Sequence, residues 1–177
     1  RVVGQESGVD AGRRERVARM LREYDSQGDH RTGSAVDAES GRWLAEQVED
    51  AGLEPELEWM GFSLPTIQAA YVAVGGRWAE GVPLFDGGFT DAGGTRGRLG
   101  SLDSTADIGL AHTGPRTGPH LPAYRRATSQ RAAVTVTGGP ANGVPEGLAL
   151  MNAPDFKTPF GPAVLQVASQ HRAWLDA

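Results

Sequence analysis

The pattern of the sequence changes near residues 63–65, and this change limits the chain to folds with two unlike parts. Before it, charged residues alternate with apolar ones at helical spacing. After it, glycine and proline are frequent and the apolar runs are short, as in strands joined by turns. We therefore predict an α+β or α/β chain. Residues 1–63 would supply N-terminal helices and an edge strand, and residues 64–177 a second region of strands and turns.

The first part begins with two amphipathic segments. Residues 12–25 place Val17, Met20, Leu21 and Tyr24 at the i, i+3, i+4, i+7 spacing of one helical face. A loop, DSQGDHRTGS, follows this helix. Its glycines mark a chain reversal before a second helix.

The second helix has signals at both ends. Ser34 is placed to cap a helix over residues 35–51, with Asp37 three residues further on. Gly52 suits the left-handed position after the last turn. Beyond it, apolar residues alternate with glutamates over residues 53–59, which predicts a half-buried strand.

The second part reads as short strands with two small helices. The pair Gly75 and Gly76 predicts a tight hairpin. Further strands are predicted within residues 106–113, 132–138, 147–154 and 162–169. A short helix should start just after Pro122, and a last helix should be capped by Ser169. Residues 85–100 are rich in glycine and predict a long surface loop. Together these segments suggest a compact β-sandwich or open barrel with short flanking helices.

Composition excludes several classes of function. The net charge is −5 and no basic block occurs, so a nucleic-acid partner is not expected. The chain has no cysteine, which excludes disulfides, thiol nucleophiles and thiolate zinc sites. No apolar run approaches the ~20 residues of a membrane span. The compartment stays open between the cytoplasm and secretion after processing, because a leader could have been removed.

No cofactor site and no catalytic residue can be assigned from motifs. The four histidines lack the spacing of paired metal ligands, and we interpret His112 and His120 as solvated loop residues. Asp86 and Asp91 are interpreted as caps of a glycine turn, since two carboxylates alone are too few for a cation. No G-x-S-x-G elbow occurs, and the glycine-rich stretch at residues 93–97 lacks the Lys-Ser/Thr of a phosphate loop.

The loop DHRTGS supplies the candidate binding residues. His30 and Arg31 lie between two amphipathic helices, and loops on a rigid scaffold often carry function. Arginine is also suited to a two-point contact with a carboxylate. The alternative is a purely structural loop, in which the charged residues are solvated and residues 32–34 shape the helix entry.

Two stretches resemble a known family. The segment HRTGSAVDAESGRWLAEQVEDAGLEPELEWMGFS resembles the N-terminal part of zinc-dependent exopeptidases of metallopeptidase family twenty-eight. The later stretches YRRATSQRAAVTVTGG, GLALMNAP and GPAVLQVAS resemble the protease-associated (PA) domain that is often inserted in these enzymes. The resemblance therefore implies a peptidase-like first region and a PA-like second region that is incomplete at its C-terminal end.

The chemistry that the resemblance implies is not carried by these residues. Family members hold two zinc ions through a His-x-Asp pair, a bridging Asp, a Glu-Glu pair and further ligands. This sequence contains no His-x-Asp and no Glu-Glu. The resemblance thus implies a non-catalytic portion, with zinc in a missing C-terminal catalytic domain or a second chain, and a peptide substrate. Two alternatives remain: a stand-alone PA-like module that binds a peptide or protein, or an unrelated enzyme.

Overall fold

The computed structural model describes residues 8–61, 63–113, 118–153, 155 and 158–177. Its contacts divide the chain into two compact units, with the division between Leu64 and Pro65. We call these unit 1 and unit 2. None of the described helices is both long enough and apolar enough to cross a membrane.

Unit 1 contains two helices, α1 (Gly8–Ser26) and α2 (Ala35–Asp50). The backbone N–H of Asp37 donates to Ser34 Oγ at 3.1 Å, so the predicted N-cap is confirmed. At the other end Gly52 has φ +79°, and the backbone N–H groups of Gly52 and Leu53 donate to the carbonyls of Glu49 and Val48. This pair of hydrogen bonds is a Schellman motif, which satisfies carbonyls left open by the last helical turn.

The segment after α2 differs from its prediction. Residues 53–61 are neither helix nor strand, so the predicted strand is wrong for this structure. Alternating apolar and polar residues give an extended segment one apolar face. A strand also needs a neighbouring strand for its backbone hydrogen bonds. No such neighbour pairs with residues 53–61 in the described parts of the chain.

Unit 2 begins with the predicted hairpin. Strands β1 (Tyr71–Val74) and β2 (Arg77–Glu80) pair antiparallel. Gly75 and Gly76 have φ of +57° and +78°. Both central turn residues need this left-handed conformation, and it is open to glycine without strain.

The rest of unit 2 is built on one mixed sheet. Its strands are β3 (Val82–Pro83), β4 (Leu99–Ser101), β5 (Ile108–His112), β6 (Ala132–Thr137) and β7 (Ala163–Ala168). Their order is β3-β7-β6-β5-β4; β4 to β7 are parallel and β3 is antiparallel to β7. Two short helices follow the pattern of the sequence, α3 (Pro122–Ala127) between β5 and β6, and α4 (Arg172–Leu175) after β7.

The structure is therefore mixed α+β, and some finer predictions change. The strands over 106–113, 132–138 and 162–169 and the helix after Pro122 are confirmed. The predicted strand over 147–154 is wrong for the described residues 147–153, which pair with no other strand. The described residues form one five-stranded sheet and a separate hairpin, and Val72 of the hairpin packs against an apolar cluster of the larger sheet.

The end of the chain also differs from its prediction. Residues Ser169–His171 form a turn of 3-10 helix, and Ser169 does not cap it. Its hydroxyl instead donates to the Glu146 carboxylate and accepts from the Gly147 N–H. This serine therefore ties the loop before residue 148 to the end of β7.

The core of unit 2 lies on both faces of the sheet. All six residues of β6 are buried. One face carries an apolar cluster of Val134, Val136 and Val167 with Leu175 of α4. The opposite face has a second apolar cluster, formed by Leu84, Ala133, Met151 and Val164. This second face also carries buried polar residues, which are described below.

Candidate functional site

The candidate residue His30 bridges the two helices of unit 1. Its Nδ1 lies 2.8 Å from Ser40 Oγ on α2, and its Nε2 lies 2.8 Å from the Tyr24 carbonyl on α1. The imidazole also stacks on the Tyr24 ring, with centroids 3.7 Å apart and an angle of 7° between the planes. His30 therefore connects the last turns of α1 to the first half of α2.

The contact with Tyr24 assigns a hydrogen to one ring nitrogen of His30. A carbonyl oxygen only accepts, so Nε2 must carry a hydrogen and donate it to Tyr24. Ser40 Oγ has one hydrogen, and it also lies 2.6 Å from Gln27 Oε1 and 2.7 Å from the Val36 carbonyl, which only accept. A serine next to a histidine is also the arrangement of an activated nucleophile, but here Ser40 is only 6% exposed and the ring Nε2 contacts a backbone carbonyl rather than a carboxylate. The contact thus ties the helices together.

Arg31 lies beside His30 in the chain and is exposed. Its backbone carbonyl accepts from the Ser34 N–H at 2.9 Å, which closes the turn that leads into α2. The His30 ring points towards Ser40. His30 and Arg31 lie in the same loop. A shared role of His30 and Arg31 at a substrate cleft stays a prediction.

Metal ligands are not gathered among the described residues. No three His, Cys, Asp or Glu side chains lie close enough together there to hold an ion. His112 corrects one interpretation, because it ends β5 rather than lying in a solvated loop. Its Nε2 lies 2.6 Å from Asp176 Oδ1, so it joins the sheet to the residue that follows α4.

A buried ion pair that the sequence did not reveal lies in unit 2. Asp86 and Arg125 have fully buried side chains, and Arg125 Nη1 donates to Asp86 Oδ1 at 2.7 Å. Arg125 Nη2 donates to the carbonyls of Asp86 and Phe160, and the Asp155 N–H donates to Asp86 Oδ2. Asp86 was predicted to be a turn cap in a surface loop. It is instead the point where three segments of unit 2 meet.

The glycines after Asp86 permit this packing. A Cβ on Gly88 would lie 2.6 Å from the Gly161 carbonyl, and a Cβ on Gly87 would lie 3.2 Å from the Pro162 carbonyl. Only glycine lets two backbones approach so closely. The glycine-rich stretch was predicted to be a surface loop, but the part around Asp86 faces the interior. No pattern in the sequence distinguishes an inward aspartate from a capping one.

An open surface pocket of about 470 Å³ lies next to this ion pair. Its lining residues are Arg125, Arg126, Asp155, Thr158, Phe160 and Gly161. The guanidinium carbons of Arg125 and Arg126 lie 3.9 and 4.6 Å from the centre of the Phe160 ring. Because the Nη groups of Arg125 are already bonded to Asp86 and Phe160, the buried pair acts as a structural clamp rather than as a ligand site.

A row of buried polar side chains lies on the same face of the sheet as Met151. Thr113 Oγ1 and Thr135 Oγ1 are 2.5 Å apart. The N–H of Ala149 donates to Thr137 Oγ1 at 3.3 Å, and the N–H of Met151 donates to Gln166 Oε1 at 2.7 Å. Side chains of the sheet thus hold residues 149–151, in place of the strand pairing predicted for this segment.

Two groups of unit 2 have shifted acid–base equilibria. The N–H of Arg98 donates to the Asp107 carboxylate, and this contact, helped by the Arg131 guanidinium, lowers the pKa of Asp107. Partial burial raises the pKa of the Tyr124 phenol, whose hydroxyl donates to Gln130 Oε1 at 2.7 Å. Neither shift moves a group toward neutral pH, so neither residue is poised as a general acid or base there.

Comparisons with known proteins add no relative. No family model, no curated protein and no solved structure matches this chain.

Proposed function

We propose that the chain is the non-catalytic N-terminal and PA-like portion of a zinc-dependent, aminopeptidase-like hydrolase. In this proposal a further domain or chain covers unit 1 and holds the zinc, and unit 2 limits which peptides reach the metal. The observation that carries the proposal is the exposure of the apolar side chains of unit 1. The family itself rests on the sequence resemblance.

The exposed apolar residues of unit 1 follow both helices and the segment after them. On α1, Val17, Leu21 and Tyr24 are 49%, 63% and 42% exposed, although their spacing is that of a buried face. On α2, Leu44 is 54% exposed. Among residues 10–61, apart from any whose side chains the structure leaves undescribed, only Ser40 is buried. Unit 1 therefore has an amphipathic pattern without a core of its own.

The segment 53–61 shows the same property. Leu53 and Trp59 are 66% and 61% exposed, and Leu57 and Met60 are 46% and 52% exposed. Its alternating pattern, and a backbone that joins no sheet of the described residues, suit a strand that is added to the edge of another sheet. Full burial of a large apolar side chain contributes roughly 1.5–3 kcal/mol relative to exposure. A partner that covers this segment and the helices would therefore gain substantial stability.

Two features of unit 2 support its proposed role as a wall or lid over the metal cleft. It has a buried core, and the outer face of its hairpin carries two exposed aromatic residues. Tyr71 and Trp78 lie on the same face of the β1–β2 pair, and each is 60% exposed. Large exposed aromatics are frequent in binding surfaces, because they bury much area for little loss of conformational entropy.

The second candidate function is a PA-like module that binds a peptide or protein without hydrolysis. It is favoured by the compactness of unit 2, which needs no further domain for its core. It does not account for the exposed apolar face of unit 1. The two candidates differ in whether a catalytic domain belongs to the same protein.

The intact mass of the natural protein tests this difference. A mass well above the 18.7 kDa of this chain, together with bound zinc and release of N-terminal residues from peptides, would establish the hydrolase. A chelator should then abolish hydrolysis, and added zinc should restore it. A natural protein of 18.7 kDa without zinc or hydrolysis would overturn the first proposal and leave the binding module.

A further inference from the structure

Residues 148–151, which we call the strap, cover the polar face of the sheet without joining it. The strap has the alternating pattern of a strand, but its inward contacts are made to side chains. Thr137 on β6 receives the N–H of Ala149, and Gln166 on β7 receives the N–H of Met151. The strap thus has the attachment of a bound peptide rather than that of a sheet strand.

The side chains of the strap point two ways. Met151 is 8% exposed and packs with Leu84, Ala133 and Val164. Leu148 and Leu150 are 41% and 60% exposed. Only one large side chain therefore anchors the strap in the core.

The strap donates from alternate residues, as an extended chain does. Successive inward N–H groups of such a chain lie two residues apart, about 6.6 Å. Thr137 and Gln166 accept from N–H groups with this separation in sequence, Ala149 and Met151. A hydroxyl and an amide both accept from any backbone N–H, so their contacts select an extended backbone rather than one side chain sequence.

We propose that the strap covers a binding site for an extended peptide, which occupies the place of residues 148–151 when the strap moves away. The ligand donates alternate backbone N–H groups to Thr137 and Gln166. It places a small residue over Thr137 and an unbranched apolar residue in the position of Met151. This inference rests on the proposed role of unit 2 in limiting peptide access, and gives that role a location.

Hydrogen exchange of the unaltered chain tests whether the strap opens. The amides of Ala149 and Met151 should exchange at least 100-fold faster than those of Val134 and Val136 in β6, because their opening leaves the sheet intact. Equal protection of these four amides would show that the strap opens only when unit 2 unfolds, and would overturn the inference.

Peptide binding tests the site itself. The probe is the heptapeptide Gly-Leu-Ala-Leu-Met-Asn-Ala, the sequence of residues 147–153, with a scrambled peptide of the same composition as control. The variant Met151→Ser removes the anchor of the strap. We expect it to bind the probe at least tenfold more tightly than the parent chain, measured by calorimetry. The matched variant Leu150→Ser changes an exposed leucine of the same strap and should bind like the parent.

A second substitution identifies the receiving group. Thr137→Val, added to Met151→Ser, keeps the shape of the side chain and removes its acceptor, so probe binding should weaken at least fivefold. Equal binding of the probe and the scrambled peptide, or no binding to a folded Met151→Ser variant, would contradict the site. If Met151→Ser does not fold, Met151→Ala is the replacement. These assays need neither zinc nor a further domain, so their failure leaves the proposal for unit 1 unaffected.

Discussion

Units 1 and 2 have local sequence signals of similar quality, but few side chains of unit 1 are buried and many of unit 2 are. In unit 1, both ends of α2 are capped as predicted, yet Ser40 is the only buried residue among those described there. In unit 2, every residue of β6 is buried between two packed faces. Caps and periodicity thus determine where a helix forms, but they do not provide the tertiary contacts that stabilise it.

The largest expected effect is the loss of the buried ion pair in unit 2. Arg125→Met leaves the Asp86 carboxylate buried without its cation, which should lower the free energy of unfolding by about 3–5 kcal/mol. Urea unfolding followed by circular dichroism measures this change. The double variant Asp86→Leu/Arg125→Met should recover part of the loss, because it leaves no unpaired charge.

The exposed pair of Arg131 and Asp107 is the control for this prediction. Its side chains are 57% and 45% exposed, so solvent screens the pair and Arg131→Met should change stability far less than Arg125→Met. An equally small effect of Arg125→Met would contradict the role assigned to the buried pair.

Substitution of one leucine in each unit compares the stability that each unit gains from burial. Leu84 in unit 2 is 1% exposed and Leu21 in unit 1 is 63% exposed. Leu84→Ala should lower the free energy of unfolding by about 2–5 kcal/mol, because it leaves a cavity. Leu21→Ala should stay within about 0.5 kcal/mol in the isolated chain. A large cost for Leu21→Ala would show that α1 already has a covered face.

The cap of α2 tests local stability in unit 1. Ser34→Ala removes the acceptor of the Asp37 N–H and should cost about 0.5–2 kcal/mol of helix stability. Faster hydrogen exchange in the first turn of α2 would report this loss. Thr32→Ala, at an exposed position in the preceding loop, is the matched control and should leave the exchange unchanged.

The smallest expected effect concerns pH. The Arg98 N–H lowers the pKa of Asp107 in the folded chain, with a further contribution from Arg131. The stabilisation is present above the unfolded pKa of the carboxyl and is lost as the pH falls through the folded pKa. Asp107→Asn should therefore slightly lower stability at neutral pH and flatten its decline in acid. Parallel pH profiles of variant and parent, from thermal unfolding, would contradict this assignment.

The sequence predicted most elements that depend on local chemistry. The hairpin at Gly75 and Gly76 and the helix after Pro122 follow from residues that restrict their own backbone. Strand β6 follows from a run of β-branched residues, as predicted for residues 132–138. Such signals act within a few residues, so no tertiary information is needed to read them.

The elements that were missed depend on distant partners. Residues 53–61 and 147–153 both alternate like strands, but one has no sheet to join and the other is held by Thr137 and Gln166. The pairing of Asp86 with Arg125 spans 39 positions and uses residue types that are usually exposed. His30 was located correctly in its loop, but its contact with Ser40 could not be read from spacing.

Hydrogen exchange of the isolated chain tests the central claim most directly, because it measures both units at once. If unit 1 depends on a covering partner, the amides of α1 and α2 should exchange within minutes, close to the rates of unfolded peptides. Those of β5, β6 and β7 should exchange orders of magnitude more slowly. Protection of α1 and α2 equal to that of β6 would contradict the claim that unit 1 lacks its partner.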